Sequence, residues 1–138
     1  MRVFIDTAPF IYLLQEHPHF SKSVTYFLAD RISSGDEIFT SVLSIMEFGV
    51  KPMMEGKPEI NRQFEEFIER TGIVEVVIDT AIAKKAYQLR SKYWGLKTID
   101  CLQLAAALIH NCQIFFTNDK QLKQVAEIQV LILEDIQN

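Results

Sequence analysis

The sequence has few of the residues that staple a chain, break it or carry it into a membrane. It holds only two cysteines, Cys101 and Cys112. They fall at the two ends of one predicted helix, roughly 16 Å apart at the standard helical rise and too far for a disulfide. The expectation is two free, buried thiols. Neither has a second Cys or a His at zinc-ligand spacing, and His17, His19 and His110 form no such set, which argues against zinc. There is no Pro/Gly-rich linker, internal repeat or low-complexity segment, so one domain over residues 1–138 is expected. The longest apolar run, Leu104 to Ile109, is far short of the roughly 20 residues that span a bilayer. Met1 leads at once into Arg2 and a strand-like Val-Phe-Ile, without the pattern of a secretory signal. These absences predict a cytoplasmic protein not integral to a membrane. Positive charge is also scarce: a formal net charge of -4 argues against gripping nucleic acid by charge alone. An RNA substrate needs bound cations or a local basic patch.

What is present is the balance of a folded protein, 49% hydrophobic and 23% charged. Apolar periodicity and turn residues predict strands at Arg2 to Asp6, Glu37 to Thr40, Ile73 to Ile78, Ile114 to Thr117 and Val130 to Leu133. Helical patterns run from Pro9 to Gln15, Phe20 to Ser33, Val42 to Met54, Pro58 to Arg70, Asp79 to Trp94 and Thr98 to Asn111, with a short helix at Lys120 to Val125. Gly35 and Gly72 are placed to end the second and fourth of these helices. Short strands of Val, Ile and Phe alternating with helices imply a helix-rich α/β fold, an α/β/α sandwich around a short-stranded parallel sheet. Ligands bind such sheets beyond the carboxyl ends of the strands, where each crossover helix also begins.

Four acids fall on that edge. Asp6 closes the first strand, where it can also serve as an ordinary N-cap before Thr7-Ala8-Pro9. Glu47 lies among Ile45, Met46 and Phe48, too deep in its helix to be a cap. It is either on a solvated stripe or held inward by a partner, because burying an unpaired carboxylate is costly. Asp100 opens a helix that carries no further charge through Ile109. Thr98 can cap that helix and its dipole favours an early acid, yet a helix buried nearly all round leaves Asp100 few solvated directions. Asp119 follows Ile114-Phe115-Phe116-Thr117-Asn118 and can cap the short helix after it. Asp79 reads as a plain N-cap, and Glu134 and Asp135 as a polar tail.

Each structural alternative is respectable singly, but four acids from separate segments converge on one edge. Carboxylates so gathered repel one another unless protonated or filled by divalent cations. Hard oxygen ligands suit Mg²⁺ or Mn²⁺, and a metal-activated water hydrolysing a phosphodiester is the natural chemistry.

These residues resemble the signature of the PIN-domain family: Phe4-Ile5-Asp6-Thr7, Thr40-Ser41 with Glu47, Ile99-Asp100 before an Ala-rich helix, and Phe116-Thr117-Asn118-Asp119. The resemblance spans essentially the whole chain and is most similar to the VapC toxins. It implies a metal-dependent endoribonuclease acting on single-stranded or loop RNA, a VapB-like antitoxin partner and a homodimer. It implies that Asp6, Glu47, Asp100 and Asp119 bind Mg²⁺ or Mn²⁺ and catalyse, with Thr7 and Asn118 steadying them by hydrogen bonds. The chain departs from the commonest toxin pattern at Lys120-Gln121-Leu122, where Gln121 cannot supply a fifth carboxylate. The alternative is therefore a non-catalytic PIN-like scaffold that binds RNA or a protein partner. A receiver-type phosphorylation domain needs paired acids near its first strand and a late Lys, and a haloacid-type phosphatase needs a second Asp soon after the first. Neither pattern is present. Lys97, Lys120 and Lys123 are candidate phosphate contacts but more readily solvated surface. The spacing of Phe10, Tyr12, Tyr26, Phe27, Tyr87 and Trp94 points to core packing.

Overall fold

The computed structural model describes residues 1–15 and 17–136. Five strands, β1 (Arg2–Ile5), β2 (Glu37–Ser41), β3 (Val74–Val76), β4 (Ile114–Thr117) and β5 (Gln129–Ile132), form one sheet in the order β3-β2-β1-β4-β5. Every neighbouring pair is parallel. Among the described residues six α-helices cover it: α1 (Thr7–Leu14), α2 (Ser21–Ser33), α3 (Val42–Met54), α4 (Pro58–Thr71), α5 (Thr80–Lys92) and α6 (Thr98–Ile109). The expected α/β/α sandwich is the observed fold.

Side chains alternate across a strand, and this separates two cores. Phe4, Phe39 and Phe115 face α5 and α6, meeting Ile82, Leu89 and Leu104. Val3, Ile5, Ile114 and Phe116 face the other way, onto Phe10 of α1, Phe27 of α2, Phe48 of α3 and Phe64 of α4. Stacked Phe rings stitch both layers, Phe4 on Phe115 at 5.4 Å and Phe27 on Phe116 at 4.0 Å between centroids. Strands β1 and β4 are central and buried on both faces, which is why they read as unbroken apolar runs. Their carboxyl ends are therefore fixed points.

The structure departs from the sequence-based expectations in several places. β3 has three residues, because Val77 is exposed and only Val76 of the strand is buried. α1 starts two residues early, since the Asp6 side chain accepts from the Thr7 N–H and opens the helix there. α6 begins at Thr98 itself, so Thr98 is not its cap; Asp100 accepts the Lys97 N–H at 3.3 Å instead. The short helix after Asp119 is a 3₁₀ segment, Lys120–Gln124. Asp79 does cap α5, accepting from the Ile82 N–H at 3.0 Å, but the helix ends at Lys92. Trp94 consequently lies outside it, 95% exposed, and Tyr26 and Tyr87 are also exposed rather than packed. Cys101 and Cys112 are free and buried, and burial pushes the Cys112 thiol up to about 12. Among the described residues no helix is long and apolar enough to cross a membrane.

Candidate active site

A cavity of about 480 Å³ opens at the carboxyl edge of the sheet, above β1 and β4. Its lining includes Asp6, Thr7, Glu47, Asp100, Asn118 and Asp119, so the structure brings together all six residues singled out from the sequence. Lys120 also lines it. Lys97 and Lys123 do not.

Each acid is carried there by a different element. Asp6 leaves the end of β1 with its backbone N–H held by Phe116 O at 2.9 Å. Its two oxygens are separately employed: Oδ1 accepts the Thr7 N–H at 2.8 Å and Oδ2 accepts the Thr117 hydroxyl at 2.8 Å. Glu47 reaches the cavity from the second turn of α3, where Oε1 accepts the Thr7 hydroxyl at 2.7 Å. Asp100 sits in the first turn of α6. Asp119 follows β4, accepting the Gln121 N–H at 3.0 Å through Oδ1, while its own N–H donates to Thr117 Oγ1 at 3.2 Å. Asn118 is clamped on both sides, donating to Tyr12 at 3.5 Å and accepting the Glu134 N–H at 3.1 Å. The capping roles of Asp6 and Asp119 are therefore real, but each occupies one oxygen and leaves the carboxyl group in the cavity wall.

The electrostatics are unbalanced. Among the described residues none of the four acids has a salt-bridge partner, whereas Lys120 pairs outward with Glu134 at 3.1 Å and Lys123 with Asp135 at 2.9 Å. Burial pushes the Asp6 carboxyl up to about 6; the hydrogen bonds from Thr117 and Thr7 oppose this, and the charges of Glu47 and Asp100 add to it. Asp100 is also raised, first by burial and then by the nearby Asp119 and Glu47 charges, against the pull of the Lys97 backbone and ammonium. The acids thus feel one another across the cavity. No three His, Cys, Asp or Glu side chains among the described residues are grouped to close directly around an ion. The donor set suits a cation that keeps several of its own waters between itself and part of the wall, which is the habit of Mg²⁺.

Sequence reasoning missed what stands behind the acids. Gln103 of α6 is fully buried; its Oε1 accepts from the Ser41 hydroxyl at 2.5 Å and its Nε2 donates to Ser44 Oγ at 2.9 Å. Ser44 lies 2.9 Å from Thr40 and 3.1 Å from Thr7, so a chain of polar contacts runs from α6 through Ser44 of α3 and Thr7 of α1 to Glu47, with Thr40 of β2 as a side branch. The Thr40 hydroxyl donates to Ile5 O at 2.9 Å, tying the chain to β1. A buried Gln amid Leu and Ala needs partners, and that was the available signal.

The sequence pattern that defines the PIN domain matches residues 3–128. No curated protein matches the chain in sequence. Solved structures do match in fold. VapBC2 from Rickettsia felis, bound to a DNA fragment from its promoter, superposes with a TM-score of 0.79 at 18% identity, covering 96% of this chain and 98% of that one. DNA-bound VapBC from Salmonella typhimurium gives 0.78 at 18%, with 96% and 98% covered. VapC20 of Mycobacterium tuberculosis, a toxin that cleaves the sarcin-ricin loop, gives 0.73 at 12%, with 92% and 98% covered.

Proposed function

The chain belongs to the PIN-domain family, and from that premise we propose that it is a Mg²⁺- or Mn²⁺-dependent endoribonuclease, the toxin of a toxin–antitoxin pair with a VapB-like partner. The observation that carries the reading is the gathering of Asp6, Glu47, Asp100 and Asp119 around one open cavity with no cationic side chain paired to them among the described residues. Such an arrangement is costly in itself and is relieved by a bound divalent cation. The likeness to toxin structures is one of fold; it supports the antitoxin partner by analogy only.

In this reading the four carboxylates would hold the metal partly through its own waters, and its chemistry there would be to activate a water and offset charge developing on the phosphate. The chain's own residues set the geometry. Thr7 donates to Glu47 and Thr117 to Asp6, so each carboxylate is fixed in orientation by a hydroxyl that is itself held. Asn118, held by Tyr12 and the Glu134 N–H, keeps the turn between β4 and Asp119 in place. Asp6, with its carboxyl poised near 6, is the group best placed to hold a proton when the site carries no cation.

Gln121 gives the non-catalytic scaffold its one specific support, since it lies exposed just after Asp119 where a further acid would strengthen the site. Incubating structured RNA with the purified chain and Mg²⁺, Mn²⁺ or chelator separates the two. Attack by water leaves linear phosphate ends with no cyclic intermediate, whereas a metal-free contaminant working through the 2′-hydroxyl passes through a 2′,3′-cyclic phosphate that is hydrolysed only later. Metal-dependent cutting with linear ends supports the nuclease; binding without cutting in every metal supports the scaffold. The homodimer, the single domain over residues 1–138 and the cytoplasmic location remain parts of the same proposal.

A further inference from the structure

We propose that Trp94, flanked by Arg90 and Lys97, is a stacking platform for a base of a single-stranded RNA that also reaches the acidic cavity. The inference rests on the ribonuclease reading for the kind of strand bound, and on the loop between α5 and α6 for everything else.

That loop is built to hold an aromatic ring outward. Tyr93, the residue before, is tied down: its hydroxyl donates to Glu127 and accepts the Ala126 N–H at 3.0 Å. Lys92 is likewise used, pairing with Glu127 at 3.6 Å and lying 5.3 Å from the Tyr93 ring centroid. Gly95, the residue after, has φ +88°, a left-handed conformation that turns the chain sharply. Between these fixed neighbours Trp94 is left 95% exposed, on the wall of a shallow depression of about 410 Å³ shared with Arg90, Leu96 and Lys97. An indole held in water between such neighbours has an apolar face with nothing against it. Bases of any identity offer a matching π-face.

The charges select the occupant. Arg90 and Lys97 are in no salt bridge among the described residues, unlike Lys92, Lys120 and Lys123. Arg90 is braced by donating to the Thr98 hydroxyl at 2.7 Å. In a chain of net charge -4, two unpaired cations beside an exposed indole form the local basic patch that an RNA strand needs. The patch is tethered to the acidic site through Lys97, whose N–H donates to Asp100, and Trp94 is six residues from Asp100, at most about 20 Å along the chain. One strand can reach both.

Trp94 is the sole tryptophan, so its fluorescence reports on this position alone. The test is titration of the full chain with a short single-stranded oligoribonucleotide in chelator, where nothing is cut, followed by the same oligomer as a duplex. Saturable quenching by the single strand and little by the duplex is expected. Trp94→Ala, followed by polarisation of a labelled oligomer, weakens binding about five- to a hundredfold, and Trp94→Phe restores much of it. Arg90→Ala and Lys97→Ala each flatten the salt dependence by a slope of about 1. Absence of quenching with unchanged affinity in Trp94→Ala overturns the proposal. So does a change of oligomeric state in Trp94→Ala with RNA affinity intact, which makes the ring a protein contact. Failure here with metal-dependent cutting intact spares the nuclease reading. Quenching in a chain that never cuts sustains the platform and sinks the nuclease.

Discussion

Replacing Asp6 by Asn is expected to stabilise the metal-free protein at neutral pH, although Asp6 makes two good hydrogen bonds. The folded chain raises its carboxyl from 3.8 to about 6, chiefly through burial. Between these values the folded state keeps a proton that the unfolded state has released, so stability falls as pH rises across this window and is level above it. The displacement corresponds to about 3 kcal/mol of destabilisation at pH 7. Asn retains the oxygen that accepts the Thr7 N–H. It loses the acceptor for the Thr117 hydroxyl, at a cost of about 1 kcal/mol. The net gain is about 2 kcal/mol, or roughly 5 °C in melting temperature for a domain of this size. The assay is thermal unfolding of both proteins in chelator from pH 4 to 8. Their difference should grow from pH 4 to 6 and then hold, while shifts elsewhere, such as the lowered Glu127 and Asp135, cancel in the subtraction. An Asn variant no more stable at pH 7, or a difference independent of pH, refutes the reasoning.

Other consequences are simpler to read. Mg²⁺ or Mn²⁺ at a hundredfold excess over its Kd should raise the wild-type melting point by the equivalent of about 2.7 kcal/mol, and should do little for Asp6→Asn; calorimetry with and without chelator checks both. Thr7→Val leaves Glu47 and Ser44 without their shared hydroxyl, so kcat should fall more than KM rises, with a stability loss of about 1 to 3 kcal/mol by denaturant titration. Gln103→Leu strands the buried Ser41 hydroxyl, which loses its acceptor, while Ser44 keeps Thr40 and Thr7; it should cost about 1 to 3 kcal/mol, measured the same way. Cys101 and Cys112 should resist a thiol reagent in the native protein and both react on unfolding, because burial disfavours their thiolates.

The architecture was legible because the strands that matter are buried on both faces. β1 and β4 can only be apolar runs, and the polar residues at which they stop, Asp6 and Thr117-Asn118-Asp119, mark the functional edge. Asp100 stood out for a related reason, as the only charge in a helix with six buried residues. What eluded sequence reasoning depends on partners distant in the chain. Thr117 lies 111 residues from the Asp6 it steadies, and Gln103 lies 62 from Ser41. Helical spacing also misplaced Trp94, since the Gly95 turn ends regular structure before the ring could be packed.

If the gathered carboxylates form a metal-dependent nuclease site, Asp100→Asn, which keeps shape while removing charge, must disable it. Cleavage of structured RNA by the wild type and by this variant should be compared across a Mg²⁺ titration, with each protein first shown to be folded. Cutting should rise with Mg²⁺, vanish in chelator and be lost in Asp100→Asn. Equal cutting by the two proteins contradicts this.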